Sequence, residues 1–109
     1  MKNVPLTDNT EIMGIVDTIR NAIPVLEIYL FGSYASGTAK EDSDYDFYVV
    51  IPDGDMRDIE ATWKIQSAIQ KRARGIDMLV GTKSKFDKYK NTISFIESEV
   101  ARTGVKLHG

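Results

Sequence analysis

Two strand-type runs constrain this chain most, because the segment between them opens with Gly32-Ser33 and, ten residues later, closes with Asp44-Tyr45-Asp46. The first run, Val25-Leu26-Glu27-Ile28-Tyr29-Leu30-Phe31, is rich in β-branched and aromatic residues and gives way to a turn at Gly32-Ser33. The second, Phe47-Tyr48-Val49-Val50-Ile51, is the apolar continuation of a buried strand. The aspartates therefore stand at a strand's beginning rather than in a solvated loop. Glycine at the turn lets a phosphate approach the backbone, Ser33 offers a hydroxyl, and a short helix over 33–39 would aim free N–H groups at an anion.

Asp44 and Asp46 share one face of a strand, with Cα atoms roughly 7 Å apart, and repel unless a cation sits between them. Hard oxygen ligands on rigid backbone suit Mg²⁺, which takes one or two protein carboxylates and leaves its other positions to water and phosphate. Alone, Gly-Ser is usually a turn and Asp-x-Asp a solvated or capping pair. Their conjunction, due by chance in about one chain per thousand of this size, favours a site for metal-bound nucleotide.

A third carboxylate is needed to deprotonate an acceptor hydroxyl or complete a two-metal site, and Asp77 in Gly75-Ile76-Asp77-Met78-Leu79-Val80 is the candidate. An unpaired charge within an apolar strand is costly unless it faces a cleft, a metal or a partner. The plain alternative is an edge-strand aspartate facing solvent.

Leu30-Phe31-Gly32-Ser33-Tyr34-Ala35-Ser36-Gly37, Ser43-Asp44-Tyr45-Asp46-Phe47 and Ile76-Asp77-Met78 together resemble the nucleotidyltransferase signature. The chain is similar, from about Ile12 to Leu107, to the minimal nucleotidyltransferases of the DNA polymerase beta superfamily, typified by the antitoxins paired with HEPN ribonuclease toxins. Kanamycin nucleotidyltransferases share the signature. The resemblance implies an α/β fold, a small mixed β-sheet with helices packed against it. It implies that Gly32 and Ser33 hold the nucleotide phosphates, that Asp44 and Asp46 bind Mg²⁺, and that Asp77 completes the metal site or activates the acceptor.

The activity so implied moves a nucleotide monophosphate, AMP from ATP, onto a hydroxyl with two Mg²⁺ ions. A tyrosine of a partner HEPN-type toxin fits the antitoxin likeness. Two alternatives stand beside it: an antitoxin that neutralises its toxin by binding alone, and small-molecule nucleotidylation of the aminoglycoside type. Relatives often carry a basic residue where this chain has Ser36, and Lys40 is the candidate substitute, a solvated lysine being the plainer reading.

At 109 residues the expectation is one domain, 1–109, with a single core and no room for a separate acceptor-binding domain. A protein partner follows. The chain has no cysteine, its start Met1-Lys2-Asn3-Val4-Pro5 lacks the apolar core of a signal peptide, and no apolar run approaches membrane-spanning length. We expect a cytoplasmic protein. A net charge of −2 argues against general nucleic-acid binding, although half the bases, Lys71, Arg72, Arg74, Lys83, Lys85, Lys88 and Lys90, bracket Asp77.

The spacing of Ile12, Ile15, Val16, Ile19 and Ile23 predicts a helix over 10–22, with Asp8 to Glu11 as a capping box and Pro24 beyond its end. A longest helix is expected over 57–74, with Ile59, Trp63, Ile69 and Ala73 facing the core, Ala61 and Ile65 on another face that is either a second packing surface inside the domain or a partner contact, and Gly75 as its C-cap. It would cross from the second strand to the third in either orientation. Shorter helices are expected over 84–89 and 92–102, the latter with a stripe of Ile93, Ile96 and Val100, and Val105-Lys106-Leu107 reads as an edge strand. Asp53 and Asp55 are read as turn and cap residues, Tyr34, Tyr45 and Tyr48 as core or rim, and His108 as a tail residue.

Overall fold

The structure, a computed structural model, describes residues 9–40, 43–69 and 75–109. It begins with helix α1 (Thr10–Ala22), whose Ile12, Ile15, Val16 and Ile19 recur at helical spacing and are buried. Asn9 caps it, its side chain accepting from the backbone N–H groups of Glu11 and Ile12. The cap is thus Asn9 rather than the expected Asp8, which lies outside the described residues.

Strand β1 (Glu27–Phe31) leads into the single turn of α2 (Ser33–Ser36), shorter than the predicted 33–39 because Gly37 takes the left-handed conformation and ends it. Then follow β2 (Tyr45–Ile51), α3 (Asp58–Ala68), β3 (Ile76–Thr82), α4 (Lys83–Tyr89), α5 (Ile96–Thr103) and β4 (Val105–His108). The four strands form one sheet in the order β3-β2-β1-β4. Neighbours of β1 run antiparallel to it, whereas β2 and β3 are parallel, as a crossover through a helix requires. This is the small mixed sheet with packed helices that the family resemblance implied.

Alternation along the strands sorts their side chains onto two faces. Ile28, Leu30, Tyr45, Phe47, Val49, Ile51, Met78 and Val80 pack with Ile12, Ile15, Ile19, Ala61 and Ile65 of α1 and α3. Tyr29, Phe31, Tyr48 and Val50 pack on the other side with Phe86 of α4 and Val100 of α5. The expected single core is therefore two clusters, one on each face.

Two helices depart from expectation. In α3 the inward stripe is Ala61 and Ile65, both fully buried, while Ile59 and Trp63 are 66% and 68% exposed. Ile69 does pack against the core, in register with Ala61 and Ile65. Both stripes have helical period, so periodicity cannot choose between them; the space between α1 and β3 admits the small Ala61 and not an indole. The helix ends with Ile69 as an extended C-cap, so Gly75 is not its cap, and Ala73 lies outside the described residues. Among the described helices α1 is the longest, at 13 residues.

Helix α5 begins at Ile96 rather than at residue 92, because Ser94 has a φ of 87°, which no helix continues through. Ile93 is left 87% exposed, and the inward positions are Glu97 and Val100.

Candidate active site

Gly32 is the hinge between β1 and α2, with φ 74° and ψ −145°, a conformation that side chains rarely tolerate. A Cβ there would also stand 2.2 Å from Oδ2 of Asp46, so both the backbone angle and the space require glycine. Ser33 follows as the first residue of α2, its carbonyl accepting from the Ser36 hydroxyl and the Thr38 N–H. One turn of helix has little dipole, so what Gly32-Ser33 offers an anion is close backbone and a hydroxyl.

Sheet register brings the rest together. Phe31, the last residue of β1, lies opposite Asp46 of β2, and Asp46 lies opposite Asp77 of β3. The Gly32 turn, Asp46 and Asp77 thus stand in one row across three strands. Asp44 precedes β2, and its carboxylate fills the space where Gly75 has no side chain: a Cβ on Gly75 would come within 2.5 Å of Asp44 Oδ1. The Gly75 carbonyl also accepts from the Tyr45 N–H at 3.1 Å, tying the start of β2 to that of β3.

The electrostatics follow from this crowding. Asp46 is pushed up to about 6, first by burial, then by its hydrogen bond to Asp77, and then by the charges of Asp77 and Asp44. Two carboxyl groups close enough to share a proton, with a third acting on them, form a donor set of hard oxygens that fits a divalent cation such as Mg²⁺. Among the described residues no three acid or histidine side chains already enclose a metal position. Magnesium needs only one or two of them.

Around the acids, Tyr45 points to the opposite face, buried, and its hydroxyl donates to Glu11 of α1 at 2.5 Å. Its ring lies 4.7 Å from that of Tyr34 in α2. Tyr48, also buried, donates to Glu97 at 2.7 Å. Ser36 shares a 2.8 Å hydrogen bond with Thr38 and brings no charge to the turn, and Lys40 is exposed. Of the basic group, Lys83 and Lys90 pair with Asp87 and Lys85 with Asp58, whereas Lys71, Arg72 and Arg74 lie outside the described residues. Asp53 accepts from the backbone N–H and hydroxyl of Ser84, capping α4 from across the molecule, and these bonds hold its carboxyl below the usual range. His108 is the last residue of β4, opposite Ile28.

The family model for the nucleotidyltransferase domain matches residues 12–102, a span that contains the Gly32-Ser33 turn and the three aspartates. The chain belongs to that family. No curated protein matches it. Among solved structures, this nucleotidyltransferase is similar in fold to a putative nucleotidyltransferase from Sulfolobus solfataricus, at TM-score 0.61 and 19% identity over 97% of this chain and 89% of that one. A toxin-antitoxin structure with AMP-PNP matches at TM-score 0.61 and 28% identity, over 87% of this chain and 70% of that one. A variant of the toxin-antitoxin MntA-HpeT matches at TM-score 0.63 and 25% identity, over 89% and 72%.

Sequence reasoning missed two parts of the nucleotidyltransferase site's surroundings. Gly75 was legible as punctuation before β3, but its function of admitting Asp44 depends on a neighbouring strand. Glu11, which fixes Tyr45, is 34 positions away from it, and its local pattern pointed to helix capping rather than to that contact.

Proposed function

We propose that this nucleotidyltransferase is the antitoxin of a toxin-antitoxin pair and transfers AMP from ATP to a hydroxyl of its partner, a tyrosine of a HEPN-type toxin, in the cytoplasm. The observation that carries the reading is the row formed by the Gly32 turn, Asp46 and Asp77. Similarity at 25% and 28% identity to two toxin-antitoxin structures, one with AMP-PNP, supports the partner and the nucleotide. Exposed Ile59, Trp63 and Ile93, apolar surface of the kind a protein partner covers, support the partner.

In this reading Gly32 and Ser33 receive the phosphates, and Asp44, Asp46 and Asp77 hold Mg²⁺, two ions in all. When bound, the metal neutralises the triphosphate and the departing pyrophosphate. Asp77, exposed at the sheet's edge, accepts the proton of the acceptor hydroxyl. The hydroxyl oxygen forms a bond to the α-phosphorus, the bond from that phosphorus to the bridging oxygen breaks, and pyrophosphate leaves. The protein contributes chiefly position and charge.

The test is to incubate the chain with Mg²⁺, ATP labelled in the α-phosphate and the protein encoded beside it. Label should become covalent on that neighbour. A folded Asp44→Asn, Asp46→Asn variant should lose labelling by more than ~10²-fold. A second reading, neutralisation by binding alone, draws on the uncharged Ser36 in the turn. Neutralisation that persists undiminished in the unlabelling variant would select it.

A further inference from the structure

Helix α2 has only four residues, too few to hold its own shape in water. Something outside it must fix the Gly32-Ser33 turn. On one side the turn is set by the fit of Gly32 against Asp46. On the other, the Tyr34 ring of α2 packs on the Tyr45 ring, and Tyr45 is anchored by its hydroxyl to Glu11 of α1. Tyr45 is also the residue between Asp44 and Asp46, buried on the opposite face of the strand. Its anchorage therefore directs both carboxylates toward the row with Asp77.

We infer that Tyr34, Tyr45 and Glu11 form a positioning unit that holds the phosphate side of the site at a fixed distance from its carboxylate side. Tyr34 carries the turn, Tyr45 carries the carboxylates, and Glu11 fixes Tyr45 against the helix beneath the sheet. All three act through the turn and the carboxylates, as positioning residues. The inference rests on reading Gly32-Ser33 as the phosphate side, and predicts that loosening the unit weakens nucleotide binding more than turnover.

Two readouts test it. The amides of Ser36, Gly37 and Thr38 donate within the turn, to the carbonyls of Gly32 and Ser33. In Tyr34→Ala their hydrogen exchange should accelerate about tenfold or more, while amides of β1 and β2 keep their protection. In the same variant the Kd for AMP-PNP with Mg²⁺ and the KM for nucleotide should rise about tenfold, with kcat within about threefold. Tyr45→Phe, which keeps the ring and removes the hydroxyl that donates to Glu11, should show the same pattern at about threefold, and Tyr34→Leu serves if Tyr34→Ala fails to fold.

Unchanged exchange at Ser36, Gly37 and Thr38 overturns the inference, as does faster exchange with undiminished affinity. Acceleration spread evenly over all strands also overturns it, since the rings would then serve stability alone. If the unaltered chain binds no nucleoside triphosphate, the phosphate reading fails separately, and the exchange pattern alone decides the positioning claim.

Discussion

Two acids on the same face of the sheet, Asp46 and Glu97, are treated in opposite ways. Glu97, 3% exposed in α5, receives the Tyr48 hydroxyl at 2.7 Å. Gly81 leaves room for that contact, because a Cβ there would stand 2.1 Å from the Tyr48 oxygen. Burial and the carboxylate of Glu97 together push the Tyr48 phenol well up. Asp46, two residues before Tyr48 on β2, has two more carboxylates as neighbours instead of a neutral donor. A buried acid that serves the fold is given a donor; an acid kept among like charges costs stability and makes sense as a cation ligand.

The largest expected effect breaks the comparison on the Asp46 side. Asp44→Asn with Asp46→Asn should lower transfer by more than ~10²-fold in a labelling assay, yet leave the thermal midpoint no lower than before, since like charges are being removed. A clearly lowered midpoint would make Asp46 a structural acid like Glu97. Next, Mg²⁺ at about a hundred times its Kd should stabilise the unaltered chain by about 2.7 kcal/mol in thermal melts, reversibly with chelator, and should do nothing for the double variant.

On the Glu97 side, Glu97→Ala and Tyr48→Phe should each cost about 1–3 kcal/mol in denaturant unfolding, because each leaves a buried polar partner unsatisfied. The two together should cost less than their sum, with nucleotide affinity unchanged. The smallest effect belongs to the exposed face of α3. Trp63→Ser should change the stability of the isolated chain by no more than about 0.5 kcal/mol, and a larger loss would place the indole in the core after all.

The site's legibility was uneven. Gly32-Ser33 and the alternating aspartates announce themselves, because a turn and a strand face are properties of adjacent residues. Asp77 stood out as a charge inside an apolar run, but its place opposite Asp46 is a matter of register between separate strands. Glu97 gave no sign at all: on a helix surface an acid is ordinary, and only Tyr48 arriving from the sheet makes it a buried one.

From its sequence alone this protein is a mixed α/β chain with strands ending and beginning at a glycine-serine turn and an aspartate pair, since backbone propensity and side-chain alternation act over a few neighbouring residues. Tertiary structure decided which face of α3 turns inward, where α5 begins its packing, and that Asp46 meets Asp77 while Glu97 meets Tyr48. Those choices compare surfaces distant in the chain, and two stripes of equal period differ only in the shape of what they must pack against.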